Sequence, residues 1–279
     1  MGNDKSRAKS RAKQAAKRAE KKKSEAARQL QQKAKEPVRL PIVQMLEDRS
    51  PDFRAASVAV RAALRGGADL ERIKAATNAV GQLIDGIKVP GAACARGCFY
   101  CCHVIVHLGL AELAELVGFI RQNFTEDQVA ELRDRARATA ATTHGTDALS
   151  YPIKTPCTLL RDGACSVYPA RPHACRTEHS LSVEPCRKAY EAPQGVDVYE
   201  DTRNFEVKMR TDVMRPALEA ALAERGLSTR SYELQEALAI ALEQPDAFDR
   251  WLKGEDVFEP ALSGIGVLGT FLSEFQGAR

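Results

Sequence analysis

A mainly α-helical protein built around an irregular cysteine-rich knuckle, with at most short strands and a basic N-terminal arm, is what this sequence predicts. Three observations carry that expectation. Apolar residues recur at three- and four-residue spacing between helix start and stop signals on both sides of the middle third. All eight cysteines fall between Cys94 and Cys186. Between Met1 and Leu30 no apolar residue is larger than alanine, so that stretch cannot bury itself.

The arm, residues 1–36, holds 13 Lys or Arg against 4 Asp or Glu, while the whole chain carries a net +4. The remainder is therefore mildly acidic. Alanine, lysine, arginine and glutamate favour a solvated helix or disorder. A solubilising tail is the plain reading; a contact to nucleic acid or an acidic protein partner is the functional one. The arm lacks the aromatic or glycine interleaving of a specific RNA binder.

Residues 37–258 read as one helical domain around the cysteines, and 259–279 as a C-terminal segment. Ser50-Pro51 is an N-cap followed by an N1 proline, and Gly66-Gly67 stops that helix. Asp69 caps the next, with Ile73, Val80, Ile84 and Ile87 on one face. Pro90-Gly91 opens the cysteine segment. Beyond it Leu113, Leu116, Val117, Ile120 and Phe124 mark a helix, and Thr125 with Gln128 makes a capping box for a polar one. Tyr151 to Pro185 is rich in Pro, Cys, Thr and Ser. There Asp162-Gly163 signals a turn, with Leu159-Leu160 and Val167-Tyr168 as two short strands. Helix returns near Phe205, with Met214, Leu218 and Leu222 on one face up to Gly226. Leu234, Leu238 and Leu242 form another helix, ended by Pro245.

The cysteines are Cys94, Cys98, Cys101, Cys102, Cys157, Cys165, Cys175 and Cys186. Thiolates this dense point to a common soft metal, because sulfur ligands hold zinc or iron well in a reducing compartment. Cys94, Cys98 and Cys101 have the spacing of ligands on a turn, where the loop closed is short. Cys102 is harder to assign, since adjacent residues point apart; it serves a second site or the backbone kinks. The eight suffice for one cluster or for two four-sulfur sites. The uneven later spacing and the surplus of sulfurs favour an iron–sulfur cluster of the four-iron type over zinc. His103 and His173 stand beside cysteines and read as hydrogen-bonded structural histidines ahead of ligands.

Other signals carry less. No run of eighteen apolar residues exists, so no membrane span is expected. No apolar stretch follows the basic residues of the N-terminus, so the expected location is the cytoplasm. Gly264-Ile-Gly266-Val-Leu-Gly269 has a dinucleotide fingerprint, but ten residues after it are too few for the fold that needs it. Acid pairs such as Glu112 with Glu115, and Asp246 with Asp249, read as solvated helix faces. No serine–histidine–aspartate arrangement, phosphate loop or His-Glu-x-x-His motif is present.

Cys94-Ala-Arg-Gly-Cys98-Phe-Tyr-Cys101-Cys102-His103, then Val104-Ile105-Val106 and an Ala111-Glu112 helix, resembles the bacterial YkgJ-type cysteine-cluster family, described as zinc- or iron-chelating with a CxxCxxCC signature. Pro156-Cys157, Gly163-Ala164-Cys165-Ser166-Val167-Tyr168, Arg171-Pro172 and Cys175-Arg176 extend the likeness, as does Trp251 to Phe258. It covers roughly residues 60–258. Three residues stand between the first two cysteines where the signature has two. The resemblance implies a bound metal ion or cluster and leaves the reaction unassigned. A relative, the flagellin lysine methylase, is thought to use S-adenosylmethionine, which makes protein methyl transfer the alternative. The Cys94-x3-Cys98-x2-Cys101 spacing is also that of radical S-adenosylmethionine enzymes, but the strand–helix alternation of their barrel is missing.

Overall fold

The structure is a computed structural model and describes residues 40–143, 155–193, 196 and 200–264. The basic arm, nearly all of the glycine-rich fingerprint and His144 lie outside the described residues. Helices dominate, as expected, and the strands are two or three residues long.

The first half is a helical stack. Helix α1 (Leu40–Arg49) leads into α2 (Pro51–Ala63), whose N-cap Ser50 Oγ accepts the Phe53 N–H at 3.1 Å. Helix α3 (Leu70–Gly86) starts at Asp69, which accepts the Arg72 N–H at 3.0 Å. Its Ile73, Val80 and Ile84 are fully buried, as are Phe53 and Val60 of α2. Each such side chain contributes about 1.5–3 kcal/mol of burial. Helix α4 (Leu110–Asn123) packs on α3, and α5 (Glu126–Thr143) follows through the expected Thr125–Gln128 capping box.

The knuckle comes next. Strands β2 (Leu160–Arg161) and β3 (Ala164–Cys165) pair antiparallel around Asp162-Gly163. Both turn residues have positive φ, 50° and 74°, as a two-residue hairpin of this hand requires. The turn is where the sequence put it, but the second strand is not. Val167 and Tyr168 lead instead into a 3-10 turn, Tyr168–Ala170. Helices α6 (His173–Thr177) and α7 (Glu184–Glu191) complete the segment.

The expected single helix from Phe205 to Gly226 is two, α8 (Phe205–Asp212) and α9 (Arg215–Ala223). Pro216 is the cause: it has no N–H to give Asp212, and its ring clashes with that carbonyl. Strand β4 (Ser231–Glu233) and α10 (Leu234–Glu243) follow, then α11 (Ala247–Leu252) and β5 (Leu262–Gly264). Strand β4 lies between β1 (His107–Leu108) and β5, with Leu108 opposite Tyr232 and Tyr232 opposite Leu262. This small sheet anchors the chain leaving the first cysteines to the C-terminal helices. Among the described residues no helix is long and apolar enough to cross a membrane.

The acid pair on α4 corrects the sequence reading. Glu112 is 8% exposed and half-buried Glu115 sits one turn on. Leu110, Ala111, Leu113, Ala114, Leu116 and Val117 are all buried, so α4 has no wet face on which to carry them. Asp246 and Asp249 are exposed, as expected. Burial raises the Glu115 carboxyl to about 7, against an opposing pull from Arg176 and a push from Glu112. A carboxyl raised in the folded state costs stability as pH climbs from about 4.5 to about 7, and the cost persists above. Glu115→Gln is therefore expected to stabilise the protein by about 1–2 kcal/mol at pH 8, after discounting for partial solvation, and by nearly nothing at pH 4. Paired denaturant titrations at the two pH values measure it; an equal gain at both would contradict the burial argument.

Candidate metal centre

The first four cysteines are presented by two consecutive turns. Cys98 N–H reaches the Ala95 carbonyl at 3.0 Å, and Gly97 at the third turn position has φ 99°, which a side chain would strain. A 3-10 turn, Tyr100–His103, follows directly, with Cys102 N–H on the Phe99 carbonyl at 2.9 Å. The backbone thus kinks where Cys101 and Cys102 stand.

The later cysteines come to these turns along two paths. The Cys157 N–H donates to the Cys102 carbonyl at 2.7 Å, joining segments separated by 54 residues of sequence. Ala93 N–H donates to the Ser180 carbonyl at 2.8 Å, and Ser180 N–H returns a bond to Cys94 Sγ at 3.1 Å. Cys165 lies in β3 opposite Leu160, Cys175 on α6 and Cys186 on α7. Helix α7 packs on the 3-10 turn through an aromatic group. There the Tyr190 ring stands 4.8 Å from His103 and 5.6 Å from Tyr100, centroid to centroid.

All eight are free thiols; Cys101 is exposed and the others are half-buried. They share one neighbourhood: Cys102, Cys175 and Cys186 each feel three other cysteines electrostatically. Among the described residues no three Cys, His, Asp or Glu side chains converge at ion-holding geometry. The structure thus gathers the sulfurs without closing them on one point.

Their proton affinities follow from burial. It pushes Cys157 up to about 11 and Cys175 well above an ordinary thiol, and it raises Cys94, Cys98, Cys165 and Cys186. Cys102 is raised by donating its hydrogen bond to Cys101, which is lowered by accepting it. Any ion bound here must displace protons, so uptake releases acid.

Several supporting residues escaped the sequence reading. Gln235 Nε2 donates to Cys157 Sγ at 3.4 Å, and its Oε1 accepts the Thr158 N–H at 3.3 Å. Ser180 supports Cys94. Neither carries a sequence signal, since the contacts span 78 and 86 residues. Glu112 accepts the Gly109 N–H at 3.1 Å and the His173 N–H at 2.7 Å, tying the start of α4 to the start of α6. Burial works to raise this carboxyl, but His173, Arg215 and the two N–H donors outweigh it and hold it below its ordinary value.

The arginines of the quoted motifs have a mechanical task. Arg171 bonds Asp85 of α3 at 2.8 Å and lies 4.0 Å over the Tyr168 ring. Arg176, 3% exposed, pairs with the same Asp85 and donates to the Arg171 and Pro169 carbonyls at 2.9 and 2.5 Å. His173 Nε2 meets the Thr77 carbonyl at 3.0 Å and His103 Nδ1 the Phe99 carbonyl at 3.1 Å, so both rings are held by backbone.

The donor set suits a soft metal: eight unbridged thiols, with N–H donors aimed at sulfurs that include Cys94 and Cys157. Residues 93–203 match the family model described as "CxxCxxCC: Putative zinc- or iron-chelating domain". The matched segment begins one residue before Cys94 and encloses all eight cysteines; it is shorter than the 60–258 span of the sequence resemblance. No curated protein matches the chain, and no solved structure matches it.

Proposed function

We propose that the segment 93–203 is a metal-binding knuckle whose thiolates hold an iron–sulfur cluster or zinc, and that the protein acts as a metal-binding or electron-transfer module with a partner. The ligands in this reading are drawn from Cys94, Cys98, Cys101, Cys102, Cys157, Cys165, Cys175 and Cys186. The observation that carries it is the meeting of two cysteine segments, unbridged, through the Cys157 N–H to Cys102 carbonyl bond. The family match supports the metal and is silent on the choice between iron and zinc.

Iron–sulfur chemistry is the version we favour, because the sulfurs are unevenly spaced and more numerous than one zinc needs. When bound, such a cluster supplies one-electron transfer; zinc would supply structure alone. The chain's own part is to donate hydrogen bonds to sulfur, from Ser180 N–H and Gln235 Nε2, and such bonds tune a cluster's potential.

Anaerobic purification followed by iron, zinc and sulfide analysis tests this. The expected protein is coloured, absorbs at about 400 nm and carries iron and sulfide in equal amounts. A colourless zinc-loaded protein replaces iron by zinc and keeps the metal reading. A protein that takes up neither metal overturns it.

A further inference from the structure

We infer that the eight thiols divide into two adjacent four-sulfur sites: an outer one of Cys94, Cys98, Cys101 and Cys186, and an inner one of Cys102, Cys157, Cys165 and Cys175. This rests on the metal-binding reading above and adds the number of sites and the ligands of each.

Three kinds of observation support the division. The first is backbone and side-chain bonding. Ser180 bonds Cys94 through its N–H, and helix α7, which carries Cys186, packs on the turn that holds Cys101. Cys157 is bonded through its backbone to Cys102 and, through Leu160, to the hairpin that carries Cys165. The second is packing. Cys157, Cys165 and Cys175 lie against the hydrophobic core, whereas Cys94, Cys98, Cys101 and Cys186, and the boundary residue Cys102, do not. The third is mutual field. Cys186 feels Cys94, Cys101 and Cys98, and Cys98 feels Cys101 and Cys94. Cys102 and Cys175 each feel Cys157 and Cys165, and both also feel Cys101, which stands at the boundary.

The dividing line runs between two neighbours in sequence. Cys101 and Cys102 sit in the 3-10 turn, where successive side chains diverge by about a third of a revolution. Cys101 also stands within the field of Cys165 and Cys175, so the two sites abut at this pair. A cysteine side chain has one rotatable bond with three staggered wells, so each sulfur can swing toward an ion from a fixed backbone. A tetrahedral thiolate site takes four sulfurs, and eight sulfurs in two groups of four leave none over.

Zinc stoichiometry decides it. The full chain is stripped, reloaded with excess zinc, desalted and analysed for metal per chain, with circular dichroism to follow folding. The wild type should hold about two zinc ions, and Cys98→Ser or Cys165→Ser about one each. The pair Cys98→Ser with Cys186→Ser should still hold about one, while Cys98→Ser with Cys165→Ser should hold none. The outer variants lie off the hydrophobic core and serve even if the inner ones unfold. One zinc per wild-type chain, or an outer double variant that is empty, overturns the partition and leaves the metal reading standing. A wild type that takes no zinc and no iron overturns both.

Discussion

Cys157→Ser is expected to emerge from purification with a clear loss of metal and a melting temperature lower by about 10 °C. The substitution keeps the size of the side chain and leaves an oxygen that can still accept the Gln235 amide. What it removes is a thiolate. Metal bound only by the folded chain stabilises that chain by its binding free energy, about 10–16 kcal/mol for small structural zinc sites. A weakened site that forfeits even about 3 kcal/mol of this shifts the midpoint by roughly 2–4 °C per kcal/mol at this chain length. Metal analysis and thermal unfolding by circular dichroism measure both halves. The control is chelation: stripped wild type and stripped variant should melt together. Wild-type metal content in the variant would remove Cys157 from the ligands.

Arg176→Ala is the second large effect, and it acts without touching a sulfur. The guanidinium is buried, pairs with Asp85 and donates to two carbonyls of the knuckle. Removing it leaves those carbonyls without their donor and a cavity beside Gly81, where even an added Cβ would lie 3.1 Å from the arginine. Breaking a buried pair costs about 3–5 kcal/mol; because Asp85 is 37% exposed, about 3 kcal/mol is the better figure. Arg176→Lys should recover little, since an ammonium cannot reach three acceptors in a plane. Chemical denaturation with the metal present reads the loss. If the alanine variant loses under about 1 kcal/mol, the arginine is not the clamp between α3 and the knuckle.

Much of this fold was legible where local chemistry is decisive. Ser50-Pro51, Asp69 and the Thr125–Gln128 box each mark a helix start because a side chain meets an N–H three residues on. The three-stranded sheet was not legible, since two- and three-residue strands show no alternation to read. Glu112 and Glu115 were misread by their spacing alone; the apolar residues on every side of α4 were the better guide. Pro216 offered a warning of the break between α8 and α9 that the shared face of Met214, Leu218 and Leu222 masked. As for the candidate site, the cysteines announce themselves by density. Their supports Ser180 and Gln235 are recruited across the fold by geometry, which no local pattern encodes.

The bond between Cys157 and Cys102 also sets an order of events during biosynthesis. The first four thiols leave the ribosome well ahead of Cys157, with 54 residues still to be made between the two segments. On the reading above, neither half of the knuckle has a complete set of ligands until that stretch has emerged and folded back. Metal acquisition then belongs to the finished polypeptide, and a stalled nascent chain would present a cluster of reactive sulfurs to whatever oxidant or stray ion it meets.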